Sequence, residues 1–196
     1  MLSPEVLASV VAEAHRRNVP VFAHPSNNAG LHNAAAAGVD VMVHTTPQIG
    51  PWSDSLIARM RAGDVALIPT LKLWRFELER EGVPAEETAE FQARGVAQLR
   101  AWFEAGGTVL FGTDVGYMTD YSPVDELEQM AVAGMGFRDI LASMTTSPAA
   151  RNGLGASSGR IAAGFDADLV VLGSDPARSV AALADVRYTF RNGRPI

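Results

Sequence analysis

Val39-Asp40-Val41-Met42-Val43-His44 is a short apolar run that stops on a histidine. Val19-Pro20-Val21-Phe22-Ala23-His24 has the same form, and Thr108-Val109-Leu110-Phe111-Gly112-Thr113-Asp114 ends on an aspartate. A near-continuous apolar run of this length is the pattern of a parallel strand buried on both faces. In a (β/α) barrel, a polar residue at the carboxyl end of such a strand faces the mouth where chemistry is done. One histidine there says little. Two histidines and an aspartate, each capping its own strand, are the ligand types of a catalytic divalent metal.

The segments between these runs read as helices. Ser3-Pro4-Glu5 places an N-cap serine, a first-turn proline and an acid at a helix start. Val6, Leu7, Val10, Val11 and Ala14 follow at helical spacing, and Asn18 can end the helix. Small residues over 31–37 closed by Gly38, and residues 53–62 closed by Gly63, predict two more helices. Val65-Ala66-Leu67-Ile68-Pro69-Thr70 predicts another strand, followed by a loop holding Lys72, Trp74 and Arg75. Residues 84–105 predict a long helix ending at Gly106, and 123–133, 137–144 and 148–152 predict three more. A helix followed by four strand–helix repeats implies right-handed crossovers and a parallel sheet.

The pattern changes near Ala156. Gly159-Arg160-Ile161, Asp168-Leu169-Val170-Val171-Leu172 and Val186-Arg187-Tyr188-Thr189-Phe190 predict short strands, with turns at Gly164-Phe165-Asp166 and Arg191-Asn192-Gly193-Arg194. The expected organisation is therefore a barrel-type region over 1–155 and a small β unit over 156–196.

Composition narrows the function classes. The 196 residues are 47% hydrophobic and 19% charged, as in an ordinary globular protein. A net charge of −6 with no basic stripe speaks against nucleic-acid binding. No apolar run reaches membrane-spanning length, and the first helix is amphipathic rather than a signal sequence. A cytoplasmic location is the default expectation. With no cysteine there is neither a disulfide framework nor a thiolate zinc site, so any metal must sit on histidine and carboxylate. Such a metal lowers the pKa of a bound water to about 7 and polarises a substrate carbonyl. His24 and His44 would supply imidazole nitrogens. Asp114 would bind the metal, or hold the water and shuttle its proton.

Four stretches resemble the amidohydrolase superfamily, specifically its imidazolonepropionase-like and prolidase-like members. Phe22-Ala23-His24, with Ala29-Gly30-Leu31 and the run Ala37-Gly38-Val39 to His44, resembles the family's fifth and sixth strands with their single histidine ligands. Phe111-Gly112-Thr113-Asp114 is similar to the eighth-strand Gly-Thr-Asp, and Thr145-Thr146-Ser147-Pro148-Ala149-Ala150 to the helix after it. The segment from Gly159 to Leu172 resembles the return into the family's β-sandwich domain.

The resemblance implies the C-terminal half of a (β/α)8 TIM barrel plus a β-sandwich remnant. It also implies a hydrolase of amide, peptide-like or cyclic amide bonds using zinc, or another divalent metal such as manganese or iron. The family's first-strand His-x-His pair has no counterpart here, nor does the carboxylated lysine or glutamate of its fourth strand. About half of the usual ligands would therefore come from elsewhere, and the chain alone is expected to be weakly active or inactive. Half a barrel also leaves two apolar parallel strands at open edges, so a missing N-terminal half or an oligomeric partner is expected.

Other readings stand beside these. His24 and His44 could be satisfied core histidines, and Asp114 an Asx turn. Lys72 could contact an anionic substrate or be a solvated loop lysine. Trp52, Trp74 and Tyr117 follow strands and could line a substrate pocket or merely pack loops. His15 and His32 read as helix-surface residues, and Asp168 as structural. As a whole the chain could instead be a non-catalytic module that completes a barrel with a partner, or a small-molecule binding domain independent of metal.

Overall fold

The computed structural model describes residues 2–196. The chain divides into two compact units, Met1–Asp114 and Val115–Ile196. The first begins with helix α1 (Pro4–Arg16), where the Ser3 hydroxyl accepts from the Val6 N–H at 3.4 Å. Strand β1 (Phe22–Ala23) leads to α2 (Asn28–Ala37), capped by Asn27 and closed by left-handed Gly38 at φ 79°. Next come β2 (Val41–Val43), α3 (Asp54–Ala62), β3 (Ala66–Ile68), α4 (Leu71–Arg80), α5 (Ala85–Glu104) and β4 (Thr108–Val109). The four strands form one parallel sheet in the order β1-β2-β3-β4, with Phe22 against Val41, Val41 against Ala66, and Ala66 against Thr108. Each crossover between neighbouring strands contains at least one helix, the connection that a parallel sheet requires. Val41, Met42, Ala66 and Leu67 are fully buried in the sheet, and Leu31, Met60, Leu71, Leu99 and Trp102 are fully buried on the helices.

One expectation about this unit is overturned. Lys72, Trp74 and Arg75 lie in helix α4, not in a loop, so two helices separate β3 from β4. The start of α4 is disguised because its N-cap, Thr70, sits at φ 47° and makes no side-chain cap bond. Its hydroxyl is engaged elsewhere, as described below. The strands are also shorter than their apolar runs, each assigned strand ending before its polar end residue.

The second unit holds α6 (Val124–Val132), α7 (Phe137–Met144) and α8 (Thr146–Arg151), followed by β5 (Leu169–Leu172), β6 (Val186–Arg191) and β7 (Arg194–Pro195). These strands form an antiparallel sheet in the order β5-β6-β7. The β6–β7 turn uses Asn192 at φ 50° and Gly193 at φ 74°, the two positive-φ residues that a tight hairpin of this twist requires.

The strand expected at Gly159-Arg160-Ile161 does not form. Gly159 has φ 86°, and a Cβ there would stand 2.7 Å from Ala149 Cβ and 2.8 Å from the Thr145 carbonyl oxygen. That glycine lets the backbone close on α8, and Ile161 points out at 89% exposure. No described helix is long and apolar enough to cross a membrane.

Candidate functional site

The carboxyl ends of β1, β2 and β3 bring polar and aromatic groups together in the first unit. Beyond the β2–β3 ladder the backbone pairing continues, with the His44 N–H donating to Ile68 O at 2.7 Å and the Thr45 N–H to Pro69 O at 3.0 Å. This carries His44 alongside Thr70, and His44 Nδ1 and Thr70 Oγ1 share a hydrogen bond of 2.6 Å. His44 is 3% exposed and Thr70 1%. His24 follows β1 directly, and its ring meets the His44 ring edge-on, with centroids 4.5 Å apart and an interplanar angle of 81°. Burial, and then the neighbouring His24, push the His44 pKa down to about 4, against an upward pull from the Asp114 carboxylate.

The surroundings hold this arrangement in place. Trp74 Nε1 donates to Thr45 Oγ1 at 2.9 Å, and its ring stands edge-on to His44 with centroids 6.3 Å apart. Trp52 is buried and donates from Nε1 to Thr46 Oγ1 at 2.8 Å. Gln98 on α5 accepts from the Thr46 N–H at 2.7 Å and donates to the Thr46 carbonyl at 2.8 Å. Thr45 approaches α5 so closely that a Cβ on Gly95 would lie 2.9 Å from its Oγ1. Similarly, a Cβ on Gly112 would lie 2.6 Å from Ile68 Cγ2, so the glycine of Gly-Thr-Asp lets the segment leading to Asp114 pass close to β3.

Three residues at strand exits, His44, Thr70 and Asp114, have left-handed backbones at φ 71°, 47° and 62°. Such a conformation is tolerated by Asp and His, but it is an outlier for a β-branched residue.

The site residues expected from the sequence are therefore distributed unevenly. His24, His44 and Trp74 stand together, and Asp114 is near enough for its charge to act on His44. Lys72 is 3% exposed in the first turn of α4, so it is not a solvated loop lysine. Tyr117 belongs to the second unit and is 52% exposed. Thr45 and Thr70 were not among the expected residues. A threonine beside an apolar run carries no signal that separates a site partner from an ordinary strand end.

Metal binding can be tested against these donors. Among the described residues, no group of three or more His, Asp or Glu is gathered tightly enough to hold an ion. What is present is a pair of imidazoles in ring contact, and His44 at least is held neutral, as a ligand must be. The donor set therefore fits part of a metal site, with two nitrogens.

The sequence matches the amidohydrolase family over residues 1–196. The chain belongs to the amidohydrolase family. Among relatives, ochratoxinase from Aspergillus niger is 26% identical over 98% of this chain and 41% of its own length. A putative prolidase from Bifidobacterium longum is 29% identical and superposes with a TM-score of 0.84 over 100% of this chain and 51% of its own. A Xaa-Pro dipeptidase with bound methionine superposes at 0.88 with 22% identity, covering 100% of this chain and 49% of its own, which shows a shared fold. The chain spans about half the length of the curated relatives it matches. Its four parallel strands and their helices correspond to half of an amidohydrolase TIM barrel, with a small antiparallel sheet besides.

Proposed function

We propose that this chain is the C-terminal half of a metal-dependent hydrolase that cleaves an amide, peptide-like or cyclic amide C–N bond. The observation that carries the reading is the ring contact of His24 with His44 at the exits of adjacent strands, with His44 kept neutral by burial. The similarity to a putative prolidase and to an ochratoxinase supports the reaction class. A divalent cation, zinc or else manganese or iron, would supply activation of water and polarisation of the scissile carbonyl.

The chain's own residues would do the rest. His24 and His44 offer imidazole lone pairs. Asp114, as a further ligand or a proton carrier, takes a proton on a carboxylate oxygen and returns it to the departing amine. Trp74, tied through Nε1 to Thr45, provides an apolar wall beside His44. Lys72 and Trp52, both buried, would shape the substrate region from within the fold.

A second, compatible reading concerns assembly. The outer face of α1 and the free edge of β1 leave Val6, Val10, Val19 and Phe22 between 47% and 51% exposed. A groove there is lined by Val6, Val10, Ala14 and Val19, with Glu5, Glu13 and Arg17 among its charged lining residues. Apolar surface next to an unpaired strand suits a further strand–helix unit. The rest of a barrel, on the same polypeptide or on another chain, would complete it, and the 196 residues alone would be weakly active or inactive.

The deciding experiment is the metal-to-protein ratio of the purified chain after separate loading with zinc, manganese or iron and desalting. A ratio near one that falls in His24→Ala and in His44→Ala is the expected result. No retained zinc, manganese or iron in the unmodified chain would count against His24 and His44 as ligands.

A further inference from the structure

We propose that Thr70 is a positioning residue that fixes His44 in its Nδ1–H tautomer, so that Nε2 is the nitrogen presented to a metal ion. The assignment of Nε2 as donor rests on the metal-dependent reading above; the assignment of the tautomer does not.

A threonine hydroxyl has one proton to give and can also accept. Thr70 Oγ1 donates to the Pro69 carbonyl oxygen at 2.9 Å. With the one hydroxyl proton directed to that carbonyl, which can only accept, Oγ1 accepts in its 2.6 Å contact with His44 and Nδ1 carries the hydrogen; this is the assignment proposed. In a neutral imidazole the other nitrogen is then a free lone pair. Both residues are almost wholly buried, so little water can compete for either bond.

Two further observations set Thr70 apart from an ordinary helix cap. Thr70 occupies the N-cap position of α4, where a threonine would ordinarily accept from the first-turn N–H groups, yet it makes no such bond. It also holds a left-handed backbone at φ 47°, an unfavourable conformation for a β-branched residue. Locally unfavourable backbone held in place by its surroundings is a recurrent feature of functional sites. Metal-bound histidines commonly give their second N–H to an oxygen partner that sets ring orientation, and here a neutral hydroxyl plays that part.

The test compares the unmodified chain with Thr70→Val, which keeps the side-chain shape, and Thr70→Ser, which keeps the hydroxyl. Nitrogen-15 NMR of the histidine rings in zinc-free protein near pH 7.5, assigned with His44→Asn, reads the tautomer directly. The expected result is a protonated Nδ1 on His44 in the unmodified and Ser proteins, and loss of that preference in Val. Zinc affinity, measured by competition with a chromophoric chelator, should fall about 10–100-fold in Val and recover in Ser. A His44 ring protonated at Nε2 in the unmodified chain would overturn the proposal. An unchanged tautomer in a Val variant with a native-like spectrum would do the same. If the tautomer is as stated but zinc binds none of the proteins, the metal reading fails and the tautomer assignment stands.

Discussion

His44 shows how burial becomes a dependence on pH. Its pKa lies near 4 in the folded chain, against 6.5 for a free histidine. Because the folded value is the lower one, the unfolded chain binds the extra proton between these pH values, and protonation favours unfolding. The stabilisation is full above pH 6.5 and is lost as pH falls toward 4. At about 1.36 kcal/mol for each pH unit, the loss from this residue has a ceiling of about 3 kcal/mol. For chelator-treated protein, denaturant unfolding at pH 7.5 and at pH 4 should therefore show a larger drop in the unmodified chain than in His44→Asn. Asparagine suits this comparison because it tolerates a left-handed backbone such as that of His44 at φ 71°. Equal drops in the two proteins would remove His44 from the account.

The long helix α5 carries much of the first unit's packing. Trp102 is fully buried, donates from Nε1 to the Thr108 carbonyl at 3.0 Å, and lies against Gly107, which has no room for a side chain. Trp102→Ala should cost about 3–5 kcal/mol, read as a shifted midpoint in urea. A loss under about 1 kcal/mol would mean that the region repacks. Elements of this kind were legible in the sequence, since α5, α1 and α3 announce themselves by helical spacing and by acids, caps or a closing glycine at their ends. The apolar runs likewise announced four parallel strands. What could not be read was set by contacts distant in sequence. Helix α4 was hidden because the hydroxyl of Thr70 faces His44, 26 positions earlier, rather than its own first turn. Gly159 looked like the start of a strand because its need for φ 86° and for closeness to Ala149 belongs to the fold. At the site, His24, His44 and Asp114 stood out as polar ends of apolar runs. Thr45 and Thr70 did not, because a threonine is equally at home in any strand.

The first unit presents apolar surface along α1 and the β1 edge, where Val6 and Val10 are each 47% exposed. Val10→Glu should reduce self-association and binding of a hydrophobic dye while leaving the melting temperature within about 2 °C, because an exposed position adds little to the core. A large fall in melting temperature would show that this surface is already covered in the isolated chain. The sheet beside it has its strands in the order in which they are made, β1-β2-β3-β4. Every strand after the first pairs with one synthesised earlier, and none has to be inserted between two others. As the chain leaves the ribosome, each strand and its preceding helix can dock on the edge left by the last. This half of the molecule can therefore be assembled vectorially, with the growing edge always at the most recently emerged strand.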